Sequence, residues 1–314
     1  MTFTTKRHFL RMGAALAATP VLAQSRAAPA AVPVRRAAGT IRLKDQTQLF
    51  VKDWGQGRPV VLTHAWPLSS DCWDQIAIAL VDAGYRVIAY DRRGFGRSSQ
   101  PDGGYTYNQF ADDLSEVLQA TGARDAALIG FSMGGGETVR YMSRHRGRYV
   151  KQVGLVATVV PGLAKGPNNP NGVDPAFFDT LKDGLRKDRL GFLSGLLRDV
   201  FYDVQTSAKS TVPVSQAVID WSVQMGMQAG LRALIGSVDA FGKEDFVPDL
   251  AAVDVPTLIL HGDADKPVPL ELTGRRAAKG IAQSKLIEYA GATHGLLVTE
   301  RERVTRDLLA FLAA

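Results

Sequence analysis

One serine lies where an apolar segment meets a helical one, and it has the surroundings of a nucleophile. Residues Ala126–Gly130 have the composition of a short buried strand, the motif GFSMG follows at 130–134, and Met133–Arg146 has helical spacing. In this setting G-x-S-x-G makes a sharp turn that lifts the serine hydroxyl above the sheet, and only glycine leaves room for neighbouring chains. Ser132 is therefore predicted to be a nucleophile. The alternative is a glycine-rich packing turn.

A nucleophilic serine needs a base, for which histidine is the usual residue. His294 lies in the segment GATHGL, a glycine-flanked loop after the last predicted strand, and it is the predicted base. The other four histidines lie in the N-terminal leader, in the loop before the nucleophile, near a helix end and at a strand end: His8, His64, His145 and His261. The one at the strand end is expected to be structural and bonded to nearby backbone.

The base needs a carboxylate that orients its imidazole. The segment HGDADKPVP at 261–269 follows a predicted strand and offers Asp263 and Asp265. Asp265 lies deeper in the loop and is preferred, whereas Asp263 is expected to cap the turn. Asp91 is a third candidate, in YDRRGFGRSS at 90–99, where the arginine-rich, turn-like neighbours favour bracing of the loop.

The motif HAWPLS at 64–69 leaves the predicted strand Pro59–Thr63 as a rigid loop, because proline cannot continue a sheet ladder and restricts the residue before it. Acyl transfer needs two N–H donors for the negative oxygen of the tetrahedral intermediate. The backbone N–H groups of Trp66 and Met133 are predicted to form this oxyanion hole. Pro67 is expected to fix the Trp66 carbonyl, an acceptor that would hold the O–H of a hydroperoxide if it faces the site.

From residue 40 onward, short apolar runs alternate with amphipathic segments. These elements must position the residues named above. This pattern predicts an α/β fold with a mostly parallel, doubly wound sheet. The predicted strands are Gln48–Asp53, Pro59–Thr63, Arg86–Tyr90, Ala126–Gly130, Gln152–Val159, Thr257–His261 and Lys285–Tyr289. The predicted helices between them are Cys72–Asp82, Tyr107–Ala120, Met133–Arg146 and Arg301–Leu312.

One long segment, 161–250, has no clear strand and contains four helical stretches. They are predicted at Pro175–Leu190, Phe192–Tyr202, Ser215–Met227 and Gly230–Phe241. A helical insertion between two strands predicts a cap over the carboxyl edge of the sheet, where open α/β sheets bind ligands. The predicted organisation is therefore a core of 40–160 and 251–314 with a helical cap at 161–250.

Composition and charge favour a soluble enzyme. The chain has 314 residues, 46% of them hydrophobic, and a formal charge of +6. No Lys/Arg cluster is interleaved with aromatics, so neither a nucleic acid nor a membrane is an expected partner. The single cysteine, Cys72, excludes an intrachain disulfide and a metal site built on cysteines, and it is expected to be a small apolar residue in a helix.

The N-terminus has the layout of an export signal. Lys6, Arg7 and Arg11 precede a short, alanine-rich, weakly apolar run, and the first 23 residues contain no acidic residue. Removing these three cations lowers the formal charge from +6 to +3. The segment TKRHFLR is similar to a twin-arginine signal with Lys6 in place of the first arginine. We expect residues 1–39 to be signal and linker, and the protein to be periplasmic or secreted.

Several motifs together resemble those of the cofactor-free haloperoxidases, perhydrolases and arylesterases of the α/β-hydrolase fold. The motifs are HAWPLSSDCW, YDRRGFGRSSQP, GFSMGGGE, HGDADKPVP and THGL, and the resemblance covers nearly all of 40–314. It implies a triad of Ser132, Asp265 and His294, backbone donors from Trp66 and Met133, and no metal or other cofactor. Ala65 departs from the family pattern, which usually has glycine there, and its methyl group is expected to shift the loop.

The resemblance also implies an aromatic substrate pocket. The expected pocket residues are Trp66, Pro67, Phe131, Phe178, Phe192 and Phe241. In this family Trp-Pro accompanies perhydrolase activity. Family members often form homo-oligomers, so a second copy of the chain is a possible partner.

The expected substrates are a small ester or carboxylic acid and hydrogen peroxide. Ser132 would form an acyl-enzyme, which water releases in an esterase and hydrogen peroxide releases as a peracid. The peracid can then oxidise halide in solution. The alternatives are a plain esterase or lactonase that uses the same triad and, in a different class, a non-catalytic ligand binder. A haloalkane dehalogenase or epoxide hydrolase is disfavoured, because those enzymes have aspartate where Ser132 stands.

Overall fold

The computed structural model describes residues 1–2, 39–207 and 212–314. Nearly all of the predicted signal and linker at 1–39 therefore lies outside the described residues. The described residues 39–207 and 212–314 belong to one compact unit, so the described helices of the insertion and the sheet are not separate bodies. No helix among the described residues is long and apolar enough to span a bilayer.

An eight-stranded sheet forms the centre of the described structure, in the order β1-β2-β4-β3-β5-β6-β7-β8. The strands are β1 Thr40–Arg42, β2 Gln48–Gly55, β3 Pro59–Thr63, β4 Arg86–Tyr90, β5 Ala126–Phe131, β6 Val150–Val156, β7 Thr257–Gly262 and β8 Ser284–Tyr289. β2 pairs antiparallel with β1 and β4, and all other pairs are parallel. The mostly parallel sheet confirms the predicted α/β fold.

Helices cover both faces of the sheet. Outside the insertion they are α1 Asp74–Asp82, α2 Tyr107–Ala120, α3 Met133–Arg144, α9 Gly274–Gly280, α10 Leu296–Thr299 and α11 Arg301–Leu312, with 3₁₀ turns at Ser70–Trp73 and Val247–Ala252. Successive residues of β5 alternate between two apolar clusters, with Leu128 in one and Ala127 and Ile129 in the other. Both faces of this strand are therefore buried, as its continuous apolar sequence predicts.

The segment between β6 and β7 is helical. It contains α4 Pro175–Lys187, α5 Arg189–Leu196, a π-helical turn Leu197–Phe201, α6 Val204–Ser207, α7 Gln216–Gln228 and α8 Leu231–Lys243. Local sequence explains these starts: Asp174 accepts a hydrogen bond from the Ala176 N–H before α4, and Asp188 accepts one from the Gly191 N–H before α5. Lys182 of α4 forms an ion pair with Asp239 of α8, with 2.8 Å between Nζ and Oδ1.

The end of β6 differs from the prediction. The apolar run suggested a strand over Gln152–Val159, but the strand ends at Val156 because Ala157 has a φ of 43°. The Ala157 N–H still donates to the Leu260 carbonyl at 2.8 Å. The chain therefore turns away from the sheet at its carboxyl edge and enters the insertion.

Candidate active site

Ser132 occupies a strained turn between β5 and α3. Its φ is 55° and its ψ is −117°, a conformation that non-glycine residues rarely adopt. A side chain at Gly130 would overlap the Gly134 backbone, and one at Gly134 would overlap Thr63 of β3. The two glycines of the motif are thus required by close packing, and the turn presents Ser132 at the carboxyl edge of the sheet.

The structure brings the predicted serine, histidine and aspartate together. His294 Nε2 lies 2.9 Å from Ser132 Oγ, and His294 Nδ1 lies 2.7 Å from Asp265 Oδ2. All three side chains are buried. Each residue follows the carboxyl end of a parallel strand (β5, β7 and β8), which explains how residues far apart in sequence meet.

The competing carboxylates have other partners. Asp263 accepts a hydrogen bond from the Gly291 N–H at 2.6 Å, so it ties the two loops that follow β7 and β8. Asp91 accepts hydrogen bonds from the Ser70 N–H at 2.9 Å and from Arg97 Nε at 2.8 Å. Asp91 therefore braces its loop as predicted, whereas Asp263, which was expected to cap its own turn, links two loops.

Asp265 is set up to remain ionised. Burial alone would raise the pKa of this carboxyl group, but the charge of His294 and hydrogen bonds from His261 and His294 hold the pKa below its usual value. The Val268 N–H also donates to Asp265 Oδ1 at 2.9 Å. An ionised carboxylate in this position orients the imidazole and stabilises the imidazolium that forms during acyl transfer.

The loop after β3 lies beside Ser132. Thr63 Oγ1 donates to the Gly134 carbonyl at 3.0 Å, which joins the end of β3 to the first turn of α3. Within the described part of the chain, neither the Trp66 nor the Met133 backbone N–H donates to a protein acceptor. The two predicted oxyanion-hole donors are therefore available. The peptide bond between Trp66 and Pro67 is cis.

An apolar cavity of about 230 Å³ opens onto Ser132 and His294. The other lining residues are Trp66, Met133, Val159, Leu163, Val173, Phe177, Phe178, Leu181, Leu196, Val200, Phe201, Phe241, Lys266, Pro267 and Val268. The Trp66 ring packs edge-on against Phe241 at 5.5 Å, and its Nε1 donates to the Leu234 carbonyl at 3.2 Å. Three of the predicted pocket residues, Trp66, Phe178 and Phe241, thus line the cavity.

The other three predicted pocket residues lie elsewhere. Phe131 stacks on the His294 imidazole at 5.4 Å and 30°, so it supports this ring without lining the cavity. Pro67 packs towards Gly226 of α7, and Phe192 packs against Gly184 of α4. These three residues do not line this cavity, because sequence does not show which way a cap or loop side chain points.

Sequence analysis missed Phe201 and Lys266. The Phe201 ring lies 4.7 Å from the His294 ring at 90° and belongs to the π-helical turn. Lys266, next to the predicted acid, is the one charged side chain that lines the described cavity besides the site itself, and its Nζ pairs with Asp203 at 2.7 Å. The signal available in sequence was the aromatic segment at 201–202 and the position of Lys266 directly after Asp265.

The described residues contain no cluster of histidine, cysteine and acidic side chains that could hold a metal ion. Burial raises the pKa of the Cys72 thiol far above its usual value. Cys72 was expected in a helix, and it lies in the 3₁₀ turn Ser70–Trp73 that precedes α1.

The sheet, the nucleophile turn and the strand-end loops define the class of protein. A family model described as alpha/beta hydrolase fold matches residues 58–300, and the chain belongs to that family. Within it, the chain is 41% identical to the non-heme chloroperoxidase CPO-A1 of Kitasatospora aureofaciens over 86% of this chain and 97% of that protein. It is 39% identical to the bifunctional esterase/perhydrolase DCH of Acinetobacter calcoaceticus over 87% of this chain and 99% of that protein.

A solved structure gives the same assignment. The bromoperoxidase from Bacillus anthracis superposes with a TM-score of 0.81 at 39% identity, covering 85% of this chain and 96% of that one. The resemblance derived from the sequence motifs is therefore confirmed: the chain belongs to the α/β-hydrolase group that includes non-heme haloperoxidases and perhydrolases.

Proposed function

We propose that this protein is a serine hydrolase that transfers the acyl group of a small ester or carboxylic acid to water or to hydrogen peroxide. The observation that carries the proposal is the hydrogen-bonded series Ser132–His294–Asp265 at the edge of an apolar cavity. His294 Nε2 removes the hydroxyl proton as Ser132 Oγ attacks the acyl carbon, and Asp265 stabilises the resulting imidazolium. The names of the relatives support the same activity.

The acyl-enzyme then reacts with one of two nucleophiles. As the acyl-enzyme forms, the Trp66 and Met133 N–H groups stabilise the tetrahedral oxyanion, and His294 gives the proton that it took from Ser132 to the leaving oxygen of the substrate. Attack by water releases a carboxylic acid. Attack by hydrogen peroxide releases a peracid and restores the Ser132 hydroxyl. The peracid transfers one oxygen to bromide in solution, so that bromide is oxidised to hypobromite and the peracid is reduced to the carboxylic acid.

The experiment compares wild type with Ser132→Ala in two assays without added metal. One assay follows hydrolysis of 4-nitrophenyl acetate, and the other follows peroxide-dependent bromination of a cyclic dione in acetate buffer. Ser237→Ala is the matched control, because Ser237 is a buried serine of α8 that does not line the cavity. We expect both activities in wild type and in Ser237→Ala, and neither in Ser132→Ala.

The two assays separate the alternatives. Bromination that requires both acetate and Ser132 supports perhydrolysis through an acyl-enzyme. Hydrolysis without bromination would leave a plain esterase or lactonase. Binding of 4-nitrophenyl acetate without turnover in any variant would indicate a non-catalytic binder.

We also propose that residues 1–39 comprise an export signal followed by a linker, on the basic-then-apolar pattern of the sequence. The test is the N-terminal mass of the protein recovered from the periplasmic and cytoplasmic fractions of a bacterial host. A shortened chain in the periplasm supports export, and a full-length chain confined to the cytoplasm contradicts it.

A further inference from the structure

A buried ion pair lies directly behind the two segments that supply the oxyanion-hole donors. Arg92 follows β4, Glu137 lies in the second turn of α3, and both side chains are 0% exposed. Arg92 Nε donates to Glu137 Oε2 at 2.8 Å, and Arg92 Nη2 contacts the same oxygen. Burying two charges costs several kcal/mol per ion before their attraction is counted, so such a pair is weak evidence for a stabilising role.

Arg92 also holds the loop that contains Trp66. Its Nη2 donates to the His64 carbonyl at 3.0 Å, and its backbone N–H donates to His64 Nε2 at 3.0 Å. Since Nε2 accepts, the proton of the neutral imidazole is on Nδ1, which donates to the Ala65 carbonyl at 2.9 Å. Burial, together with the positive charge of Arg92, lowers the pKa of His64 to about 3, so the imidazole stays neutral.

The Ala65 carbonyl and the Trp66 N–H belong to one peptide unit. That unit is planar, and in a trans peptide the C=O and N–H groups point in opposite directions. The hydrogen bond from His64 to the Ala65 carbonyl therefore sets the direction of the Trp66 N–H. The Leu68 N–H donates to the same carbonyl at 2.9 Å and restricts it further.

The other end of the pair holds the nucleophile helix. Glu137 lies one turn after Met133, whose N–H is the second predicted donor. Tyr90 OH donates to the remaining carboxylate oxygen of Glu137, and Arg92 Nη1 lies 4.0 Å from Met133 Sδ. One guanidinium thus contacts both the Trp66 loop and α3.

We propose that Arg92, held by Glu137, is a positioning residue that fixes the Trp66 N–H relative to the Met133 N–H. This inference rests on the proposed acyl-transfer function. The two donors act on the tetrahedral oxyanion, which is absent from the bound substrate. The pair should therefore affect the stability of the transition state more than the binding of substrate. Loss of the pair should therefore lower kcat far more than it raises KM.

The chain offers a matched control one residue away. Arg93 pairs with Asp113 of α2, with Nε 2.5 Å from Oδ2 and Nη2 2.6 Å from Oδ1, and the two side chains are 3% and 1% exposed. Among the described residues this second pair makes no hydrogen bond to the Trp66 loop or to α3, and its link to the first pair is the charge repulsion between Asp113 and Glu137. The second pair is also a buried Arg–carboxylate pair from the same chain segment, but it lacks the hydrogen bonds that join Arg92 to His64.

The experiment replaces each pair by apolar residues, because removing one partner leaves a buried charge and can prevent folding. The variants are Arg92→Met/Glu137→Leu and Arg93→Met/Asp113→Leu. For each folded variant we measure kcat and KM with 4-nitrophenyl acetate, the thermal midpoint, and the Kd of phenylboronic acid, which forms a tetrahedral adduct with the nucleophile. By analogy with removal of one oxyanion donor, we expect the Arg92/Glu137 variant to lose about 100-fold in kcat and to bind boronate more weakly.

The control decides the interpretation. We expect the Arg93/Asp113 variant to keep kcat within about threefold of wild type, since its pair does not touch the oxyanion donors. Near wild-type kcat in the Arg92/Glu137 variant, or an equal loss in both variants, would overturn the inference. If wild type shows no Ser132-dependent hydrolysis, the proposed function fails instead. The rate at which an aryl phosphonate modifies Ser132 then tests the positioning, and it must fall only in the Arg92/Glu137 variant.

Discussion

His261 Nε2 lies 3.3 Å from Asp265 Oδ2, the same carboxylate oxygen that His294 Nδ1 contacts at 2.7 Å. His261 Nε2 also lies 2.8 Å from the Val268 carbonyl, which can only accept a hydrogen bond. The proton is therefore on Nε2, and Asp265 faces two imidazole N–H groups. The expected backbone contact of His261 is present, and the contact with the predicted catalytic acid adds to it.

Removing this second donor should slow catalysis. We expect His261→Phe to lower kcat about tenfold at constant KM, because a hydrogen bond to a charged group is worth about 1.5–3 kcal/mol and the 3.3 Å distance places this one at the weak end. His261→Gln, which can still donate to Asp265, should lose less. The measurement is kcat and KM with 4-nitrophenyl acetate alongside the thermal midpoint. Equal kcat in the Phe variant and wild type would exclude a role for His261 in orienting Asp265.

Folding stability should depend on pH through His64. The folded-state pKa of about 3 lies below the ordinary value of 6.5, so between these values the unfolded chain binds a proton that the folded chain does not. The stability that the folded protein gains because His64 stays neutral is complete above pH 6.5 and is lost as the pH falls towards 3. From pH 6.5 to 4.5 we expect the free energy of unfolding to fall by about 2–3 kcal/mol from this group.

Urea unfolding of wild type and His64→Gln across this range provides the measurement. The glutamine can accept the Arg92 N–H but does not titrate, so its free energy of unfolding should change less with pH. Parallel curves for the two proteins would contradict the assignment. Asp91 and Asp265 also have lowered pKa values, but their ordinary value is 3.8, so their effect belongs below about pH 4.

Much of the architecture follows from local sequence. The bounds of β3, β4, α2 and α11 match the predicted ranges to the residue, because apolar period and flanking turn residues are local signals. The serine, aspartate and histidine that the structure brings together were predicted because each lies in a loop that follows a predicted strand. Parallel strands bring such loops to one edge of the sheet.

The side-chain directions in the insertion did not follow from sequence. Phe192 and Phe201 lie in the same predicted helix, Phe192–Tyr202, yet only Phe201 reaches the cavity. The segment is in fact divided between α5 and a π-helical turn, Leu197–Phe201, which changes the periodicity. The direction of the Phe201 side chain depends on how the π-helical turn packs on the loops of the sheet. Local sequence patterns do not indicate this packing.

Ala65 should be a structural rather than a catalytic departure from the family pattern. It is fully buried, its φ is not positive, and its carbonyl accepts the His64 and Leu68 hydrogen bonds described above. A glycine is therefore not needed here. We expect Ala65→Gly to lower the free energy of unfolding by about 1 kcal/mol and to leave kcat for hydrolysis and perhydrolysis within twofold of wild type. A several-fold rise in peroxide-dependent bromination would show that the methyl group does distort the oxyanion loop.

Two adjacent residues of the insertion, Phe201 and Tyr202, contact the loop that contains His294. Phe201 packs edge-on against His294, and the Tyr202 carbonyl accepts a hydrogen bond from Thr293 Oγ1 at 3.0 Å. Phe201→Ala should lower kcat about tenfold, because the imidazole loses one of its two aromatic neighbours and gains freedom to leave Ser132. Phe192→Ala is the control, since its ring packs within the insertion and does not line the cavity.

Both substitutions should lower the thermal midpoint, since a buried Phe→Ala change typically costs about 3–5 kcal/mol and a partly buried one less. Only Phe201→Ala should change kcat measured well below that midpoint. Phe201→Leu keeps apolar volume against His294 and should recover part of the rate. If the Phe192 and Phe201 variants lose kcat equally, the insertion acts on the rate through overall stability, and the contact between Phe201 and His294 has no separate role in positioning the base.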